Sequence, residues 1–165
     1  MKKGIYFLLF LIGLTSCSQD VTFNNNAAFQ GVKDNVFWKA SDAVAKIGTG
    51  SSLNIEAVTV NEKLTLTMPL PAKLVSQRDK STYITYDLGA SEAKKAIYVN
   101  TLNAVVLTYQ TGFGIGDGQI VVTDYDGATI SGTFRFNAKN TDATSEEAPI
   151  LNLQSGVFYK VPIMP

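Results

Sequence analysis

The feature that most constrains this chain is an apolar–polar alternation with a period of two residues, repeated along most of its length. In SLNIEAVTV, Leu53, Ile55 and Ala57 fall on one face, with Asn54 and Glu56 on the other. KLTLTMP sets Leu64, Leu66 and Met68 against Thr65 and Thr67, and ATISGTFRFNA sets Ile130, Gly132, Phe134 and Phe136 against Thr129, Ser131, Thr133 and Arg135. Successive strand side chains point to opposite faces, so this pattern gives each segment one face for a core and one for water. STYITYDL, KAIYVN, AVVLTYQ and GQIVVTDY are rich in β-branched and aromatic residues and bounded by Gly, Asn or Asp. With AFQGVK and VFWKA added, the spacing predicts about ten short strands in a single all-β domain, an antiparallel β-sandwich or a partly closed β-barrel. The last segment, SGVFYKVPIMP, carries two prolines that cannot donate to a ladder, which predicts a place near an edge. Helix is confined to a turn or two at Pro71–Gln77 and Ser91–Ala96. Asn137 to Pro149 (NAKNTDATSEEAP) is polar, lacks aromatics and reads as a loop.

The opening residues obey a different logic. In MKKGIYFLLFLIGLTSC, Lys2 and Lys3 precede an uncharged apolar run, Gly4 to Leu14, and small residues follow. The run is short of the roughly 20 residues that span about 30 Å of hydrocarbon, and it has the form of a secretory signal peptide. Leu14-Thr15-Ser16-Cys17 then matches a bacterial lipobox: a branched apolar residue, two small ones, and the only cysteine of the chain. The thiol of Cys17 is the expected nucleophile for a diacylglyceryl group, and the amine freed by cleavage is expected to be acylated as well. One acyl chain binds a membrane marginally, whereas two or more hold stably. The expected organisation is therefore a cleaved signal peptide over residues 1–16, a polar tether over 17–26, and a β-rich globular domain over 27–165. Cleavage leaves 12 basic against 14 acidic residues, a formal charge of about −2. That balance supplies no electrostatic footprint for nucleic acid. With no second cysteine, stability has to come from a packed core.

No catalytic constellation is legible, and no cofactor is expected. Histidine is absent from the whole chain, so Cys17 has no usual partner base and zinc has no nitrogen ligand. TGFGIGDGQI departs from a dinucleotide fingerprint, because Asp117 stands where a third glycine would follow Gly112 and Gly114. A strand-connecting loop using glycine for positive φ accounts for it better. Asp124 and Asp126 in TDYDG, with Asp117 nearby in sequence, are weak candidates for part of a calcium site. The same residues are ordinary in a tight turn. Asp34, Asp42, Asp87, Glu146 and Glu147 give no reason to prefer any acid–base pair. Trp38 and the tyrosines at 83, 86, 98, 109, 125 and 159 could form a stacking platform for sugar, but alternating aromatics are more often core and cross-strand partners.

AAFQGVKDNVFWKA, GDGQIVVTDYDGATISGTFRFNA and SGVFYKVPI together resemble an uncharacterised family of small lipoproteins found in Bacteroidota. The similarity covers nearly all the chain after Cys17, with residues 69–100 matching loosely, and its motifs are strand starts and core aromatics. The resemblance implies a Gram-negative envelope with Cys17 in the outer membrane, and carries over no catalytic residue. Surface export in that group uses acidic residues just after the cysteine, and Ser18-Gln19-Asp20 supplies one. The expectation is a lipid-anchored envelope protein, on the periplasmic side or the cell surface, that binds a protein or supports assembly without catalysis. The alternative is a carbohydrate or small-ligand binding module, calcium-assisted. Its partners are the membrane through the lipid and an envelope protein or glycan, with no nucleic acid.

Overall fold

Strands form wherever the inward set of an alternating segment can be buried. A computed structural model of the chain describes residues 28–74, 82–102, 105–142 and 144–164. The expected signal peptide, Cys17 and the expected tether lie outside the described residues. The strands are β1 (Ala28–Lys33), β2 (Val36–Lys39), β3 (Asp42–Gly48), β4 (Ser52–Val58), β5 (Glu62–Pro69) and β6 (Ile84–Leu88). They continue as β7 (Lys95–Leu102), β8 (Val105–Gln110), β9 (Asp117–Tyr125), β10 (Thr129–Asn140) and β11 (Ile150–Met164). All eleven belong to one mostly antiparallel sheet, ordered β2-β1-β11-β3-β4-β5-β7-β8-β10-β9-β6.

β10 and β11 also pair with each other, so the sheet curls back and partly closes into a ring. A half made of β2, β1, β11, β10, β9 and β6 faces a half made of β3, β4, β5, β7 and β8. The joints are short. Ile163 and Met164 of β11 pair in parallel with Ala45 and Lys46 of β3, and Lys139 and Asn140 of β10 pair with Gln110 and Tyr109 of β8. β10 and β11 are the longest strands because each serves both halves, changing neighbours along its length. Register shifts between them at Ile130/Gly132 and Phe134/Phe136, with positive φ at Ser155 and Lys160, bend the pair through the handover.

The fold class agrees with the alternation, one strand is added to those expected, and three local expectations are corrected. β3 was not anticipated, because its inward residues, Ala43 and Ala45, are small and charges flank them. Ser91–Ala96 is no helix: Ser91 bridges Lys94 in a turn and β7 starts at Lys95. The loop expected from Asn137 begins later, since β10 continues to Asn140 opposite β11. The last segment is no edge, as β11 pairs with β1, β10 and β3. Pro162 is tolerated there for a geometric reason. Ile163 N–H donates to Ala128 O on the β10 side, so the missing donor of Pro162 would have pointed the other way. On that side β1 pairing ends at Tyr159 and β3 pairing begins at Ile163.

One apolar core fills the space between the halves. Phe29, Phe134, Phe136 and Phe158 form its aromatic part; the Phe29 and Phe134 rings are 4.8 Å apart, and Trp38 meets Phe29 edge-on. The two Ser-Gly-x-Phe motifs turn out to face each other. Gly132 lies opposite Phe158, and Gly156 opposite Phe134. A Cβ on Gly156 would sit 2.6 Å from the Phe134 ring, and one on Gly132 only 2.1 Å from Val121 O. Each glycine thus leaves room for the other motif's ring.

Candidate functional site at the hairpin end

Strand directions bring several turns to one end of the sheet. Lys33 of β1 lies opposite Leu153, and Glu62 of β5 opposite Asn100 of β7. The Asp34–Asn35 turn, the Thr59–Asn61 turn and the facing ends of β7 and β8 therefore share that end. Asp34 and Asn35 both take positive φ, as a two-residue hairpin turn requires. Thr59 tightens the second turn, its hydroxyl accepting the Glu62 N–H at 3.1 Å.

Just inside these turns, inward positions carry polar groups. Glu62 continues the inward series Leu64, Leu66, Met68; Lys33 continues Phe29, Gly31; Tyr98 follows Ala96. Glu62 Oε1 accepts hydrogen bonds from Lys33 Nζ and the Tyr98 hydroxyl, while Oε2 accepts from Trp38 Nε1 and, at 3.3 Å, from Thr59 Oγ1. Lys33 Nζ also donates to the Tyr98 hydroxyl at 2.7 Å and lies 5.1 Å from the centre of its ring. The network ties β1 and β2 of one half to β5 and β7 of the other.

Burial works to raise the Glu62 pKa, but the hydrogen bonds from Lys33, Tyr98 and Trp38 outweigh it and hold the carboxyl below its ordinary value. Tyr98 is pushed upward, first by burial and then by its bond to the Glu62 carboxylate. Burial also raises Tyr109, with the charges of Glu147 and Asp34 adding to it. A carboxylate with both oxygens engaged and a depressed pKa is a poor proton acceptor at neutral pH, and a tyrosine shifted upward is a poor donor. The arrangement fixes geometry, with one carboxylate of β5 holding groups from β1, β2, β7 and a turn.

Around this polar plug the end of the sheet is apolar and exposed. Val60 at the turn tip is 93% accessible, Phe37 65%, Val105 59% and Leu102 55%. Beside them a cleft of about 230 Å³ is lined by Val58, Val60, Val99, Thr101 and Glu62 among others. It falls below the roughly 300–1,000 Å³ of a small-molecule pocket and suits a single inserted side chain.

A sequence profile described as "Domain of unknown function (DUF6252)" matches residues 25–162, essentially the whole sheet. The chain belongs to the DUF6252 family. No curated protein and no solved structure matches the chain.

The DUF6252 fold distributes the residues singled out by sequence as follows. Asp117 opens β9 and its carboxylate accepts from Asn137 Nδ2 at 2.9 Å. Asp124 lies toward the other end of that strand, opposite Ser131; seven residues at about 3.3 Å each separate it from Asp117 by about 23 Å. Asp126 closes the β9–β10 turn, accepting the N–H groups of Ala128 and Thr129 at 2.7 and 2.6 Å. Those bonds, Thr129 foremost, hold its carboxyl below the usual range. Among the described residues, no three acidic, Cys or His side chains gather as a metal site would require. In the glycine-rich loop Gly114 and Gly116 take φ of 69° and 64°, and Gly112 bridges Ile115. Trp38, Tyr86, Tyr98, Tyr109 and Tyr125 are buried in the core, while Tyr159 faces solvent. Asp34 binds the Asn152 N–H at 2.9 Å. Glu62 and Lys33 were not singled out, although their inward registers carry the signal: a charge in the core face of a strand needs a partner.

Proposed function

We propose that this DUF6252 protein is a lipid-anchored component of the outer membrane, held through Cys17, that binds a partner protein without catalysis. The exposed apolar side chains at the hairpin end are the observation that carries this reading. Val60, Leu102 and Val105, with Phe37 on the neighbouring hairpin, stand exposed at one end of the sheet, and the adjoining cleft offers one anchor position. Ala28 begins β1 at the opposite end, so a tether from Cys17, up to roughly 36 Å when extended, would leave the rim pointing away from the bilayer. Asp34 and Glu147, whose charges both reach Tyr109, favour a partner segment with an apolar anchor and basic flanks. The polar plug ties both halves of the sheet together just inside the rim and so stiffens it.

The test is site-specific photocross-linking in cells, with the reactive residue placed at Val60, at Leu102 or, as a reference, at Thr85 on β6. Discrete protein adducts from the two rim positions but not from Thr85 are expected. Adducts from Thr85 alone, or from none of the three, would sink the rim as an interface. Anchoring has its own readout: Cys17→Ala should lose the lipid mass and move the protein to the soluble fraction. Protease digestion of intact against permeabilised cells then separates the cell surface from the periplasmic side.

A further inference from the structure

The outer face of the six-strand half carries a second, different surface. A cleft of about 420 Å³ runs over β9, β10 and β11, and an adjoining hollow of about 310 Å³ continues across β11 and β1, the two sharing Val157. The bulge at Ser155, where φ is 51°, interrupts what would otherwise be a flat face. Outward side chains meet there in register: Gln119 opposite Arg135, Thr133 opposite Val157, Val157 opposite Gln30, and Tyr159 opposite Ala28.

We infer that this face binds an acidic oligosaccharide, with Arg135 gripping a carboxylate and Tyr159 lying against a sugar ring. Three observations lead there. Arg135 is exposed in the cleft and has no hydrogen-bond or ion-pair partner among the described residues. A guanidinium so placed offers a bidentate fork to a carboxylate. Neither hollow has a carboxylate among its described lining residues; Asp87 and Asp124 stand on the same face but outside both. Lys160, 5.5 Å from the centre of the Tyr159 ring, adds a second positive charge at the far end.

The remaining groups suit a sugar better than a peptide. Gln119, Gln154, Gln30 and Thr133 each donate and accept, as adjacent hydroxyls require. β9, β10, β11 and β1 each already have a strand on both sides, so no free sheet edge lies in the cleft for an extended peptide to join. Recognition must come from side chains. From β9 to β1 is about 14 Å at about 4.8 Å per strand, the length of a short oligosaccharide. This surface is separate from the hairpin rim, and the inference does not depend on that reading.

The experiment is calorimetric titration of the full chain with an oligogalacturonate tetrasaccharide, its fully methyl-esterified counterpart, and a polyglutamate peptide of matched charge. Binding of the uronate at least tenfold tighter than of either control is expected. Arg135→Gln should weaken that binding tenfold or more without moving the melting temperature, because the exposed side chain makes no hydrogen bond or ion pair among the described residues. Arg135→Lys should fall between them. No uronate binding at millimolar concentration, equal binding of the ester, or an unaffected Arg135→Gln variant would each overturn the inference. Equal binding of polyglutamate would show that the face reads charge alone, and would overturn it as well.

Discussion

Glu62 is the residue on which the two halves of the sheet converge, held by Lys33, Tyr98, Trp38 and Thr59. Its folded pKa lies below the ordinary value of 4.5, so the folded state binds its proton less readily than the unfolded chain does. The stabilisation is fully present above about pH 4.5 and is lost as pH falls through the folded value. Glu62→Gln should make the acid limb of a stability–pH profile shallower, and should cost about 1–3 kcal/mol at pH 7 by leaving the half-buried Lys33 unpaired. Chemical denaturation across pH 3–7 measures both effects. An unchanged acid limb would mean that the other depressed carboxylates, Glu56, Asp126 and Asp142, govern it instead of Glu62. Little of this network was legible in the sequence. Leu64, Leu66 and Met68 reveal the inward face of β5, but nothing local says that Lys33 and Trp38, from a distant hairpin, cover its polar end. Trp38 and most tyrosines were legible as core, because their alternation with polar residues places them inward.

At the scale of elements, the β10–β11 pair shows what a short motif can and cannot announce. SGTF and SGVF read as matching bends, yet their reciprocal fit, each glycine under the other motif's phenylalanine, appears only when the strands pair. Gly132→Ala should destabilise the protein by about 1–3 kcal/mol, since the added Cβ meets backbone at Val121 O and cannot be relieved by a rotamer change. Gly50→Ala is the comparison for steric room: nothing lies within 4 Å of a Cβ there, although its φ of 70° strains any side chain. A denaturation midpoint for Gly132→Ala equal to wild type would mean that β9 and β10 separate easily. β3 escaped notice for the opposite reason, as its alanines carry too little hydrophobic contrast to mark a period. The turn at Asp34–Asn35 was legible in principle, since two residues of this kind between alternating segments favour positive φ.

For the whole molecule, local pattern gives the strand content and leaves the closure open, because closure depends on pairs distant in sequence. The two joints, β11 with β3 and β10 with β8, hold two register pairs each, whereas β3 with β4 and β4 with β5 are paired along their full lengths. Hydrogen exchange should therefore open the joints first, with Ala45 and Gln110 exchanging faster than Ile55 and Leu66. Equal protection at all four would indicate a ring that opens only by global unfolding. The same topology carries a kinetic consequence. β1 cannot complete its pairing until β11 arrives, and the contact between Asp34 and Asn152 spans 118 residues. Such distant pairings make folding slow. Under the envelope reading proposed above, that delay would favour export: β11 is synthesised last, so the earlier strands would still lack the partner that locks the sheet.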